Sequence, residues 1–297
     1  MGTRRGAREL LIHIFFLVVG ASGIIILTLI LLFLIMEGIP IFEVVSVKDF
    51  ILGTMWYPTY DPPDFGILPL IAGSASVVVL SSLIAIPLGI GSAVYLAEIA
   101  HPRVRAVVKP AIELIEGLPT VVIGFFGMVV VAPYLQKMFG LETGLNLFNA
   151  SVMLAFMAVP TIASISEDAI YSVPVHMKEG SMALGATHWE TIARVILPAS
   201  LTGISTAVIL GIARAIGETM VVLMVAGGAA MIPESIFDPV RPMPANIAAE
   251  MGHTPFRSDH YHALFAIGLV LFVFTFLFNM IAAYLAQKHK QVGAASL

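Results

Sequence analysis

The sequence contains no cysteine in 297 residues, which excludes disulfides, thiolate zinc sites and iron–sulfur clusters held by this chain. Charge is scarce as well. Asp, Glu, Lys and Arg make up 11% of the residues and sum to −4, too small a balance to attract a polyanion such as a nucleic acid, so any working charge must be local. No G-x4-G-K-[ST] phosphate loop occurs, so the chain does not bind ATP in that manner. Apolar residues take the place of all these: 59% of the chain is hydrophobic and the mean hydropathy is +0.98, outside the balance of a soluble globular domain. A soluble enzyme and a disordered tail are set aside on the same ground.

Six apolar stretches are each long enough to cross roughly 30 Å of hydrocarbon. They run over 10–36, 67–96, 118–135, 148–165, 199–231 and 263–285. Alternating strands about ten residues long, the mark of an outer-membrane barrel, are missing, so helices are expected. Arg4, Arg5 and Arg8 precede the first stretch, but its apolar run is too long for a signal peptide and no small-residue cleavage site follows, so it reads as a retained helix. The fold class expected is all-α: a polytopic bundle of six membrane helices forming one domain over 1–297.

Placing the N-terminus in the cytoplasm puts Arg4, Arg5, Arg8, Arg103, Arg105, Lys109, Lys178, Arg194, Lys288 and Lys290 inside, and Lys48, Lys137, Arg241 and Arg257 outside. That excess of ten over four predicts both termini on the inner side. The two long outer segments are proline-rich and aromatic, with Trp56, Tyr57 and Tyr60 in the first. Such rings read as interfacial anchors. Pro244 followed by 245–251 and Gly252 predicts a short outer helix.

The segment 172–198 is too polar to span and too regular for a plain loop. Ser172 and Pro174 predict a helix start, and Gly185 supplies a left-handed stop. Thr187 and Glu190 then form a capping box for a second short helix closed by Pro198. Glu179, Gly185, Val195, Leu197 and Pro198 fit the spacing E-x5-G-x9-I-x-L-P, and on those residues the segment resembles the loop by which permease subunits of bacterial ABC importers dock on their ATPase. Gly180 and Ser181 stand where that loop has two alanines, and Val195 replaces its isoleucine. A rigid helix corner transmits rigid-body motion as a slack loop could not. An ordinary amphipathic interfacial helix is the plainer alternative.

One cation falls inside a span. Arg214 lies fifteen residues into the 33-residue fifth stretch, about 22 Å from its start at 1.5 Å per residue, too deep to reach either surface easily. An arginine there costs at least ~2.5 kcal/mol and normally faces a bundle interior or a wet cavity. Glu218 is one turn on, expected on the same face. Either Arg214 contacts an anion in a translocation path while Glu218 holds or gates it, or the two merely neutralise each other. Gly211, Ala213, Ala215 and Gly217 leave room for close packing or for a passage.

The run Gly211-x-Ala213-Arg214-Ala215-x-Gly217-Glu218-Thr219 resembles the fifth-helix signature of phosphate ABC transporter permeases. Further matches are Phe65 to Ser74, Pro87 to Gly91 with Tyr95 to Glu98, and Gly117 to Gly124. Trp56-x-Pro58 ahead of Pro62, Phe65 and Gly66 is more similar to the PstC subunit than to its PstA companion. The resemblance implies a type I ABC importer permease fold with its core over about 67–286, and places Arg214 and Glu218 in the phosphate path. It implies as partners a PstA-like second permease, an ATPase dimer and an extracytoplasmic phosphate-binding protein, with inorganic phosphate as substrate. No cofactor and no chemistry of its own are implied, and the setting is a bacterial or archaeal inner membrane. Phosphate suits an arginine fork, and one zero-sum pair is a weak site, so a second arginine is expected from the companion permease. A permease for molybdate or sulfate, an ATP-independent anion carrier and a purely structural membrane protein are the alternatives.

Among other residues, His260 and His262 are i and i+2 and do not face each other on a helix; they read as interfacial. Glu113 and Glu116 read as solvated acids at a helix start or as part of an inner gate. Glu167 and Asp168 read as solvated. Pro69, Pro87 and Pro160 fall within spans and are expected to kink them.

Overall fold

A computed structural model describes residues 2–294, with side chains described for 12–281, Ala283 and Tyr284. The side chains of Arg4, Arg5, Arg8, Lys288 and Lys290, which are half of the ten inner cations, lie outside the described residues. Among the described residues six helices are long and apolar enough to cross a membrane. They are α1 (Gly2–Gly38), α3 (Leu68–Val94), the run of α5 (Thr120–Phe126) and α6 (Ala132–Phe139), α7 (Leu147–Tyr171), the run of α9 (His188–Thr191) and α10 (Leu197–Ile216), and α13 (Asp259–Ala294). Short helices join them: α2 (Val47–Leu52), α4 (Pro102–Glu116), α8 (Val175–Ala183), α11 (Met220–Val225) and α12 (Met243–Glu250). A two-stranded antiparallel ribbon pairs Trp56 with Phe65 and is the exception to an otherwise helical chain.

The middle of the bundle is α7. Its most apolar window is 67% buried, whereas that of α1 is 0% buried and touches chiefly α13. A helix apolar on all sides is stable at such a rim only if lipid covers it. Close packing on α7 depends on two glycines. A Cβ on Gly89 of α3 or on Gly211 of α10 would fall 2.6 Å from Ile162, so one isoleucine wedges three helices together. Gly211 therefore serves packing rather than a passage. Among the prolines, Pro69 stands at the start of α3, while Pro87 and Pro160 lie inside helices.

The fifth stretch departs from the sequence expectation. It is not one helix over 199–231: α10 ends at Ile216, and α11 begins at Met220 after a three-residue break. Gly217 does not continue the helix, and the Glu218 carboxylate accepts the backbone N–H of Met220 at 3.0 Å and of Val221 at 3.2 Å, capping the new start. Beyond α11, Gly227 has φ +93° and its Cβ position lies 2.5 Å from the Leu145 carbonyl, so the chain leaves the helical path there.

The two long connecting segments pack at the end of the bundle opposite α8. Trp56 is not an exposed anchor but 3% exposed, in a cluster with Phe50, Phe65, Ile67 and Met243. The short helix predicted to start at Pro244 is present as α12, beginning one residue earlier at Met243 and ending at Glu250.

Candidate functional site

Arg214 lies in the last turn of α10, yet deep in the bundle. Its Nη1 donates to Thr161 Oγ1 at 3.3 Å, and Thr161 is fourteen residues from one end of α7 and ten from the other. At 1.5 Å per residue that is about 21 Å and about 15 Å. The partner expected from sequence is not the partner found. No ion pair joins Arg214 to Glu218 among the described residues, because the break at Gly217 takes Glu218 off the face of α10 and its carboxylate caps α11. Both residues nevertheless border one narrow cleft against Leu154, Met157 and Ala158 of α7.

Glu116 pairs with Arg214 instead. Its Oε1 is 3.6 Å from Arg214 Nη1, its backbone carbonyl accepts from Arg214 Nη2 at 3.3 Å, and its Oε1 accepts from Thr161 Oγ1 at 2.8 Å. Three elements thus converge on one guanidinium: α10 supplies it, α7 the hydroxyl and the end of α4 the carboxylate. Glu116 is the last residue of α4, not a helix-start acid as its neighbourhood suggested, so the dipole there disfavours its charge. Glu113 is exposed. The arginine and Glu116 side chains remain 32% and 36% exposed. A charge at mid-depth that this chain leaves a third open cannot face hydrocarbon at tolerable cost. It must meet another subunit or water.

Along α4 a second ionic cluster forms. Glu167 of α7 is 1% exposed, pairs with Arg105 and accepts from Lys109 Nζ at 2.6 Å; Lys109 also binds Asp168, and Arg105 lies 3.7 Å from the centre of the Tyr171 ring. The solvated reading of Glu167 therefore fails: α4 folds back over the end of α7 and buries it. Burial alone would lower Lys109, but hydrogen bonds to Asp168 and Glu167 and the charges of both hold its ammonium above the usual 10.5.

The segment 172–198 forms the predicted corner. Gly185 has φ +90°, which L side chains rarely adopt, and the Thr187–Glu190 capping box is complete. Two details differ. Ser172 caps the end of α7, and Pro174 precedes α8 as its N-cap. Pro198 does not close the second helix: a π-type turn over Ile192–Ile196 carries α9 into α10, and Pro198 sits at the first turn of α10 where a missing N–H is tolerated. The corner is braced inward by Lys178 Nζ on Glu98 at 2.5 Å and His188 Nε2 near the Glu98 carbonyl at 3.3 Å. Leu197 packs with Ala93, Ile170 and Ile196. Outward, Glu179, Gly185 and Pro198 are exposed, and Val195 joins Met177, Gly180 and Leu184 along a shallow groove. Leu184 at the tip is 91% exposed, an apolar knob without a cover among the described residues.

At the opposite end, Glu250 of α12 gathers three partners: Arg241 Nη1 at 2.7 Å, His260 Nε2 at 2.8 Å and Trp56 Nε1 at 3.1 Å. Burial would raise its pKa, but the His260 and Trp56 hydrogen bonds and the charges of His260 and Arg241 outweigh that and hold it below the usual 4.5. His262 turns elsewhere, its Nδ1 2.7 Å from the Glu37 carbonyl, so the two histidines share no ligand. Sequence reasoning gave Arg214 but not Thr161. The signal for Glu116 was its place directly before Gly117-Leu118-Pro119, where the chain re-enters an apolar stretch.

Residues 85–291 match the family described as binding-protein-dependent transport system inner membrane component. The chain is 43% identical over 261 residues to a probable ABC transporter permease protein YqgH of Bacillus subtilis (strain 168), covering 87% of this chain and 84% of the relative. It is 36% identical to the phosphate transport system permease protein PstC of Mesorhizobium japonicum, covering 81% and 78%. Among solved structures, a bacterial alginate ABC transporter in complex with its alginate pentasaccharide-bound periplasmic protein aligns with TM-score 0.64 at 16% identity, covering 92% of this chain and 94% of that one. The methionine ABC transporter MetNI in an inward-facing conformation aligns with TM-score 0.57 at 19% identity, covering 75% and 96%. At these identities the solved structures support the fold alone.

Proposed function

Because this chain belongs to the family of binding-protein-dependent transport system inner membrane components, and is a multi-pass permease subunit of an ABC importer, we propose that it forms half of the translocation path for inorganic phosphate. The observation that carries this reading is a guanidinium at mid-depth, a third open and held by only loose contacts. Phosphate brings one to two charges and several oxygens to such a fork. Similarity to PstC relatives supports phosphate over other oxyanions.

A companion permease closes the open side of Arg214 and adds a second arginine, since one guanidinium beside one carboxylate has no net charge to offer. An ATPase dimer receives the corner at Gly185, with Leu184 as the apolar contact and Glu179, Val195, Leu197 and Pro198 holding the corner's shape. A phosphate-binding protein docks at the opposite, extracytoplasmic end. Both termini lie on the ATPase side, as the distribution of Lys and Arg favours. Glu218 acts on the path through α11, whose start it caps.

Arg214→Gln should abolish phosphate uptake by the assembled importer while copurification of its subunits persists; normal uptake by that variant would overturn the reading. Uptake of sulfate and molybdate by the unmodified importer, with phosphate ignored, would redirect it to another oxyanion.

A further inference from the structure

We propose that Glu116 is an internal counter-anion: it occupies the Arg214 guanidinium when no substrate is present, and a passing oxyanion must displace it. The inference rests on the phosphate-path reading above and concerns regulation of that same site.

The geometry of the pair is that of a placeholder. Charge-assisted N–H···O contacts run about 2.7–2.9 Å, and a well-matched carboxylate takes the guanidinium fork with two parallel bonds. Here the closest carboxylate approach is 3.6 Å, the guanidinium's hydrogen bonds to Thr161 and to the Glu116 carbonyl are both 3.3 Å, and neither is bidentate. An anion presenting two oxygens in the plane of the fork would make shorter and better-aligned bonds than the residue already there.

Nothing else in the fold asks for a negative charge at 116. It ends α4, where the helix dipole opposes a carboxylate, and among the described residues its side-chain partners are Thr161 and Arg214. The Thr161 hydroxyl links the two, accepting from Arg214 and donating to Glu116. Once the carboxylate leaves, that hydroxyl is free to donate to the incoming oxyanion, so the site is ready for its second occupant without rearranging α7. An anion that bound while Glu116 stayed would lie beside a like charge, at a penalty that grows as water is excluded. Displacement also has a direction. The segment Gly117-Leu118-Pro119 after Glu116 is exposed and non-helical, so the end of α4 can swing while Arg105 and Lys109 hold its middle to Glu167.

The test uses the complete importer in lipid vesicles, with this chain, the companion permease and the ATPase, and reads ATP-independent flux of radiolabelled inorganic phosphate. Removing the competitor in Glu116→Gln should raise that flux about tenfold, equivalent to ~1.4 kcal/mol of competition. Glu116→Asp keeps the charge and should raise it less. If Glu116→Gln does not assemble, Glu116→Ala, which removes the carboxylate and leaves the Thr161 hydroxyl in place for the oxyanion, should still raise the flux. Unchanged passive flux in these assembled variants would overturn the proposal, as would loss of driven uptake without any gain in leak, the mark of a purely structural residue. Arg214→Gln run alongside separates the two readings: if it imports phosphate normally, the path itself is misassigned. If it is dead while Glu116→Gln leaks no more than the unmodified importer, only the counter-anion role falls.

Discussion

Arg214 and Glu116 are 98 positions apart in the chain, and the carboxylate of one stands 3.6 Å from the guanidinium of the other. Glu218, one helical turn from Arg214 in sequence, caps a different helix. The Arg214 charge is therefore balanced across three helices, α4, α7 and α10, rather than along one.

Arg214→Lys keeps the positive charge but loses the planar fork, which a lysine point charge does not replace. We expect uptake reduced at least about tenfold, a loss of ~1.4 kcal/mol, with assembly intact. Initial rates of phosphate uptake in cells carrying each variant give the comparison, and full activity in the lysine variant would mean that the fork geometry is irrelevant.

At the corner, Gly185→Val places a β-branched side chain at φ +90°, a conformation that costs roughly 1–2 kcal/mol for an L residue. Leu184→Asp removes the apolar knob without straining the backbone. Both should release the ATPase on affinity purification, while membrane insertion, read by protease protection, is unaffected. Retention of the ATPase by Leu184→Asp would show that the knob is not the contact.

Lys109→Met leaves Glu167 buried with one cation fewer. Arg105 still faces that carboxylate, so the loss falls short of the about 3–5 kcal/mol of a buried ion left wholly unpaired, yet it exceeds the loss when both partners are removed. Lys109→Met should therefore lower the unfolding temperature in detergent more than the double variant Lys109→Met/Glu167→Gln does. Equal losses would mean that Glu167 is not held as an ion.

The Glu250 cluster should be acid-sensitive. Its carboxyl is held below 4.5 in the fold, so its contribution is fully present above the ordinary carboxylate pKa and is lost as pH falls through the depressed value. Trp56 donates to this carboxylate while Trp189 is exposed. In a Trp189→Phe background, Trp56 emission should therefore change only once the pH has fallen below the ordinary carboxylate range, and Glu250→Gln should abolish that transition. A transition that survives the glutamine substitution would have another source.

Much of the fold was legible from sequence because its signals are local. Apolar runs, each continuous along the chain, set the six spans, while Gly185 set a left-handed stop and Thr187 with Glu190 set a helix start within four residues, the reach of a helical hydrogen bond. The sequence alone also put a cation where no surface could receive it. Tertiary packing decided what that cation meets. The fifth span breaks at Gly217 because Glu218 caps a new helix. Glu116 reaches Arg214, and Glu167 is buried, because α4 lies against α7, and Trp56 turns inward because Glu250 accepts its indole N–H. Partners so distant along the chain depend on how whole helices stack, and that stacking leaves no periodic trace around either residue.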